Sequence, residues 1–250
     1  MGNITVDIRY KEVVNWHPRA ACSFNLPGYT DLWRINIGAN ISFIPRLVNL
    51  LEPEEVKRAG RYYQEKDRQR FVITRAALRI ILSGYTNQAP AGIRFGTGPN
   101  KKPFLTNPDA GISYNTSHSD QWALIAVSKN VVGVDTEKID PSFAYADILP
   151  DHFSEAEISF IEQQQPHYRF CMLWTRKEAI TKLTGQGLDE RLKNIPSLNG
   201  RNLVAGNIIN SFNDITLTSF ELDNSNLATV AYETGNDAEL RFWDMDFTSI

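Results

Sequence analysis

Three strand-like runs follow one another almost without interruption: Ile112–Asn115, Trp122–Ser128 and Val131–Glu137. Ser119-Asp120 joins the first two and Lys129-Asn130 the second two. Runs rich in β-branched and aromatic residues, joined by short polar turns, predict a meander. A small antiparallel sheet therefore sits at the middle of the chain, and the flanking segments must pack around it.

Helical periodicity brackets this region. Pro53-Glu54-Glu55 reads as a helix start, with acids where the dipole favours them. A longer helix is predicted from Asp67 to about Ser83, with Phe71 and Leu82 facing a core and Gly84 ending it. Residues 11–30 are irregular, and a strand follows in which Trp33, Ile35 and Ile37 alternate with Arg34 and Asn36. Residues 87–111 read as loops around a short strand at Ile93–Phe95. In the second half, Ser154-Glu155-Ala156-Glu157 is a capping box, Pro166 breaks that helix, and a long helix spans about Tyr168 to Leu183 before Gly185 and Gly187. Strand-like runs near Ile208–Phe212, Ile215–Leu222, Leu227–Tyr232 and Leu240–Met245 complete the chain. Each half thus offers helices and a small antiparallel sheet, an α+β chain. Thr74-Arg75 and Thr175-Arg176, one pair in each long helix, hint at duplication.

Composition narrows the function classes. The chain has 250 residues, 42% of them hydrophobic and 22% charged, which excludes a disordered chain, a collagen and a coiled coil. A formal charge of −3 argues against nucleic acid as the main partner. Cys22 and Cys171 form no CxxC, so neither a zinc site nor a disulfide framework is expected. Trp122–Val127, the longest clean apolar run, is too short to span a bilayer, and no signal peptide or myristoylation pattern opens the sequence. These features predict a soluble cytoplasmic protein without a membrane partner.

Four segments could carry chemistry. Asp135 and Glu137 lie two apart at a strand end, so both carboxylates face one side. They repel unless a cation lies between them, and a hard divalent ion such as Mg²⁺ suits oxygen ligands. A solvated strand end would also accommodate them. Trp174, Glu178 and Lys182 are spaced by one helical turn and share a face; an ordinary ion pair beside a core tryptophan would look the same. Ser117-His118-Ser119 follows a strand but lacks a nucleophile elbow, leaving a polar turn or a phosphate contact. Gly96-Thr97-Gly98-Pro99-Asn100-Lys101-Lys102-Pro103 is a Gly-rich turn with two lysines but not a Walker A loop, since Pro103 stands where Ser or Thr is needed.

Taken in order, these segments resemble the 4′-phosphopantetheinyl transferase superfamily, of the type that activates surfactin synthetase. The features that match are Lys102-Pro103, Ser117-His118-Ser119, Gly133-Val134-Asp135-Thr136-Glu137 and the Trp-x-x-Lys-Glu-Ala-x-x-x-Lys helix from Trp174 to Lys182. The similarity extends from Pro53 to about Leu188. The resemblance implies a pseudo-twofold pair of α/β subdomains, each a small antiparallel sheet packed with a long helix. We set their bounds at 1–132, for the coenzyme A 3′-phosphate and adenine, and 133–250, for the metal and catalytic helix.

The implied reaction moves the 4′-phosphopantetheine arm of coenzyme A onto a serine of an apo acyl or peptidyl carrier protein and releases adenosine 3′,5′-bisphosphate. By that resemblance Asp135, Glu137 and Glu178 hold Mg²⁺, Glu178 takes the serine proton and Lys182 serves the phosphates as cation or proton donor. Arg58, Arg70, Lys102, Pro103, Ser117 and His118 then contact coenzyme A. Trp174 is expected to pack, and Glu157 to act only in its capping box. Glu55 and Phe71 depart from the family pattern, as do Asn100 and Lys101 before Lys-Pro. One chain would supply both sides of the cleft, so a monomer is expected. The competing expectations are a non-catalytic coenzyme A-binding or carrier-binding protein, and another Mg²⁺-dependent phosphotransfer or phosphodiesterase enzyme.

Overall fold

The structure is a computed structural model that describes residues 2–98, 100, 102–106, 111–187, 190–234 and 239–248. The chain opens with β1 (Asn3–Tyr10), a short bridge strand β2 (His17–Pro18) and β3 (Tyr29–Asn36). Helices α1 (Ile44–Leu47), α2 (Pro53–Ala59) and α3 (Glu65–Thr86) follow. Then come β4 (Phe95–Thr97), β5 (Pro103–Leu105), β6 (Ser113–Ser119), β7 (Trp122–Ser128) and β8 (Val132–Lys138). Helices α4 (Leu149–His152), α5 (Glu155–Gln163) and α6 (Pro166–Thr184) lead to β9 (Gly200–Ala205) and α7 (Gly206–Ile209). The last strands are β10 (Ile215–Asp223), β11 (Asn226–Glu233) and β12 (Glu239–Asp244).

The helices begin and end for local reasons. The α2 start is a reciprocal capping box of Glu52 and Glu55, and α5 starts on Ser154 and Glu157 in the same way. Pro166 begins α6, where its missing N–H costs nothing, and Gly185 ends that helix at φ 69° with its N–H on the Thr181 carbonyl. Gly84, expected to end α3, lies inside it. The helix continues to Thr86 and stops at Asn87, which takes the left-handed conformation at φ 54°. A Cβ on Gly84 would come within 2.4 Å of the Phe24 ring, so this glycine makes room for an aromatic side chain.

Two five-stranded sheets form, in the orders β2-β12-β3-β7-β6 and β8-β11-β10-β1-β9. Helix α3 covers the first through Val72, Ile73, Ala76 and Ile80, packed with Trp33, Ile35, Ile125 and Val127. Helix α6 covers the second through Ala179, Ile180 and Leu183, packed with Val6, Ile215 and Leu217. A further core of Leu32, Leu124, Val132, Val134, Phe220 and Val230 lies where the sheets meet. The α+β architecture of two similar helix-on-sheet halves is as expected.

The halves also share a device that periodicity alone did not reveal. In each, the third-position glutamate of the capping box reaches a cation of the long helix that is itself wholly buried. Glu55 pairs with Arg79 at 2.8 Å, and Glu157 pairs with Lys177 at 3.0 Å. Glu157 therefore does more than cap its helix.

Strand partnership differs from the expectation in four ways. The meander does not form: β6 and β7 pair, but β8 leaves for the other sheet and pairs with β11. A short turn between β7 and β8 permits a hairpin without enforcing one, and burial of Val132 and Val134 against β11 and β10 decides the partner. The sheets are mixed and not wholly antiparallel, because β1 runs parallel to β10 and β12 parallel to β3.

The termini also exchange halves, so a cut at 132/133 does not separate the sheets. Strand β1, in a region left without an element, fills the space between β10 and β9, and its Ile4, Val6 and Ile8 alternation is the signal for it. Strand β12 joins the first sheet, anchored by Arg241 on the buried carboxylate of Asp31 at 2.6 Å. Finally, the run at 208–212 is no strand. Its strand is β9, and Ile209 instead ends the helical turn α7.

Candidate active site

The end of β8 and one face of α6 meet closely because Gly133 has no side chain. A Cβ there would stand 2.2 Å from the Ala179 carbonyl oxygen. Two residues on, Asp135 projects from the same side of the strand. Its Oδ1 accepts from Lys182 Nζ at 2.7 Å and from Ser117 Oγ at 2.8 Å, and Lys182 also donates to Ser117 at 3.0 Å. Asp135 is 2% exposed, and its Oδ2 is buried without a hydrogen-bond partner. An unpartnered carboxylate oxygen in the interior is costly, and an oxygen-seeking cation is one of the few groups that relieves it.

Glu137 and Glu178 stand half-buried near Asp135. Burial, followed by the charge of Asp135, pushes each carboxyl up to about 7. Burial also raises Asp135 itself, against the opposing pull of Lys182. Three mutually repelling carboxyls fit a divalent cation, which would stabilise all three charged forms. Among the described residues no three such side chains close into a ligating group, so their convergence is electrostatic and not yet geometric.

A pH effect on stability follows. Protonation at Glu137 and Glu178 favours the folded state, because their folded values of about 7 lie above the ordinary 4.5. That contribution is complete below about pH 4.5 and is lost as pH rises through about 7. In chelator, the thermal unfolding midpoint should therefore fall from pH 5 to pH 8 by more in the native protein than in a Glu137→Gln, Glu178→Gln double variant.

Beyond β6 lies a cavity of about 590 Å³ whose walls include Arg58, Arg70, Arg75, Phe71, Thr116 and His118. Arg58 stacks over the Phe71 ring at 5.0 Å, and Arg70 is steadied by Asp67 at 2.8 Å. Desolvation in the cavity and then the charge of Arg70 hold the His118 imidazole below its ordinary value. Glu55 lies behind this wall and ion-pairs with Arg75 and Arg79. A second cavity, of about 260 Å³, shares Pro103 and Thr116 with the first and reaches Glu178 and Lys182. Together they make one crevice that runs from the arginine-lined wall to the Glu178 and Lys182 face of α6.

Of the residues expected in the site, Glu178 and Lys182 line the smaller cavity, Asp135 is ion-paired with Lys182, and Glu137 lines a separate cavity of about 340 Å³ with Phe170, Cys171 and Trp174. Arg58, Arg70, Pro103 and His118 line the crevice. Ser117 is separated from His118 by the alternation of β6: Thr116 and His118 face the large cavity, while the Ser117 hydroxyl turns to Asp135. Lys102 lines the smaller cavity, and its Nζ donates to the Leu183 carbonyl at 2.6 Å, at the α6 C-terminus. Burial lowers its ammonium to about 8. Pro99, Lys101 and Leu188 lie outside the described residues. Trp174 packs, stacked on His152 and Phe170 with ring centroids 5.6 and 5.8 Å away. Sequence reasoning gave no site role to Arg75 or Thr116, and named Ser119 only within its motif. Strand alternation places Thr116 beside His118, and the i, i+2 spacing places Ser119 beside Ser117.

No helix among the described residues is long and apolar enough to cross a membrane. A family model for the 4′-phosphopantetheinyl transferase superfamily matches residues 131–233, and one for the 4′-phosphopantetheinyl transferase N-terminal region matches residues 42–130. The chain is 31% identical over 179 residues to the 4′-phosphopantetheinyl transferase HetI of a Nostoc species, covering 69% of this chain and 76% of that one. It is 31% identical over 147 residues to a 4′-phosphopantetheinyl transferase of Bacillus subtilis, covering 57% of this chain and 64% of that one. The chain spans 64 to 76% of the length of the first curated relatives it matches. The matched segments together carry the crevice and the Asp135, Glu178 and Lys182 cluster, and the chain belongs to the 4′-phosphopantetheinyl transferase superfamily.

Proposed function

We propose that the protein transfers the 4′-phosphopantetheine arm of coenzyme A to a serine of an apo carrier protein, with Mg²⁺ held by Asp135, Glu137 and Glu178. The observation that carries this reading is the buried, unpartnered Oδ2 of Asp135, whose Oδ1 holds the Lys182 that, with Glu178, lines a cavity adjoining an arginine-lined one. A ligand with separated phosphate groups suits such a crevice. Arg58, Arg70 and His118 take the 3′-phosphate side, where Arg side chains can pair with phosphate in two-point fashion. Pro103 and the Lys102 stem wall the passage towards the pyrophosphate.

Mg²⁺ held by Asp135, Glu137 and Glu178 would supply charge neutralisation at the pyrophosphate and at the leaving phosphate. This chain's residues do the rest. Glu178, as a carboxylate, accepts the proton of the carrier serine. The serine oxygen forms its bond to the β-phosphorus, and the bond from that phosphorus to the bridging oxygen breaks. Lys182, one turn along α6, faces the leaving phosphate and steadies its charge while it holds Asp135 in place. Both walls come from one chain, so a monomer is a complete catalytic unit.

The test is intact-mass analysis of apo fatty-acid, polyketide and peptide carrier proteins after incubation with the protein, coenzyme A and Mg²⁺. A gain of one phosphopantetheine arm, absent with chelator, is the expected result. Bound coenzyme A with no gain on any carrier would favour the binding-only protein, and release of adenosine bisphosphate without a carrier would favour a phosphodiesterase.

A further inference from the structure

Strand β8 is the outermost strand of its sheet, so every second N–H on its free side has no strand partner. Strand β6, outermost in the other sheet, supplies side chains in their place. Val134 N–H donates to Asn115 Oδ1 at 3.0 Å, Thr136 N–H to Ser117 Oγ at 3.4 Å and Lys138 N–H to Ser119 Oγ at 3.0 Å. Alternate residues of one strand thus meet alternate residues of the other. The two sheets are stitched edge to edge by side chains where no backbone ladder exists.

This arrangement fixes where the serine protons go. A hydroxyl has one proton and two lone pairs. In each serine one lone pair is taken by a β8 N–H, and the proton is donated to the carboxylate one residue earlier. Ser117 donates to Asp135 Oδ1 at 2.8 Å, and Ser119 donates to Glu137 Oε2 at 3.0 Å. The second lone pair of Ser117 accepts from Lys182. Each strand carboxylate therefore has one oxygen tied by a serine that is itself tied to the strand backbone.

We propose that Ser119, alongside Ser117, is a positioning residue that orients the β8 carboxylates towards a divalent cation, so that the motif's serines serve the metal site. The inference rests on the metal-site reading above. It separates the roles within Ser117-His118-Ser119: the histidine faces the anion cavity, and the serines face the carboxylates.

The experiment uses Ser119→Ala and Ser119→Thr, with Mn²⁺ as the probe, titrated by the electron paramagnetic resonance signal of the free ion. Partners that orient metal ligands are worth about 10- to 100-fold in metal affinity. Ser119→Ala should weaken Mn²⁺ binding by about 10-fold or more, and Ser119→Thr, which keeps the hydroxyl, should restore it. In the transfer assay the half-saturating Mg²⁺ concentration should rise by a similar factor, with the KM for coenzyme A unchanged. Lys138 N–H is exposed, so water replaces its lost partner, and the unfolding midpoint in chelator should hold. An unchanged Mn²⁺ affinity in Ser119→Ala, with or without a lower midpoint, would reduce the serine to a structural stitch and overturn the proposal. Failure of the native protein itself to bind Mn²⁺ would overturn the metal-site reading on which it stands.

Discussion

Asp135→Asn is expected to reduce phosphopantetheine transfer by about 1000-fold or more, close to the level left by chelator. The substitution keeps the shape of the side chain and removes its charge. At Asp135 the charge does two things. It holds the Lys182 ammonium at 2.7 Å, and its second oxygen is buried with nothing to bind. An amide cannot serve both neighbours, because its nitrogen is a donor facing either a cation or a metal position.

The loss should fall on the rate with coenzyme A saturating, since the Arg58, Arg70 and His118 wall lies elsewhere in the crevice. Stability should fall by less than the roughly 3–5 kcal/mol of breaking a fully buried pair, because the Lys182 left behind is 28% exposed and can be hydrated. Transfer within tenfold of the native rate, still dependent on Mg²⁺, would remove Asp135 from the site.

Gly133→Ala should produce the largest loss of stability. The new methyl carbon would lie 2.2 Å from the Ala179 carbonyl oxygen and 2.4 Å from the Leu183 amide nitrogen. Both are backbone atoms inside α6 and cannot rotate away. The helix must retreat from β8, and overpacking of this kind costs about 3 kcal/mol. For a chain of this size that corresponds to a fall of roughly 6–12 °C in the unfolding midpoint. Retreat of α6 also draws Glu178 and Lys182 away from Asp135, so transfer should fall with stability. Denaturant titration measures the first effect and the mass assay the second. A loss below about 1 kcal/mol would show that α6 can slide without harm and that the close approach at Gly133 is not essential.

Glu55 and Glu157 show how partial a reading confined to neighbouring residues is. The Glu157 cap can be recognised from four consecutive residues and Glu55 as an acid in a first turn, because both are satisfied within one helical turn. Their second engagements, with Arg79 and Lys177 on the long helices, depend on how α2 and α5 dock. No spacing rule announces those pairs. Ser117 shows the same limit within the site. Its run was read as following a strand that ended at Asn115, whereas β6 continues through Ser119, and the direction of its hydroxyl depended on which strand came to lie beside β6.

The sequence by itself determined the helices, most strands, the Ser154–Glu157 capping box, the Gly185 stop and most of the acidic and basic side chains of the site. These follow from periodicity and termini, which are encoded within a few residues of one another. Only the tertiary structure decided that β8 joins β11, that β1 and β12 exchange halves, and that Asn115, Ser117 and Ser119 bridge the sheets. The physical reason is that an exposed strand edge accepts any partner offering matching hydrogen bonds. The choice is made by the apolar area each pairing buries, and that area is contributed by residues far away in the chain.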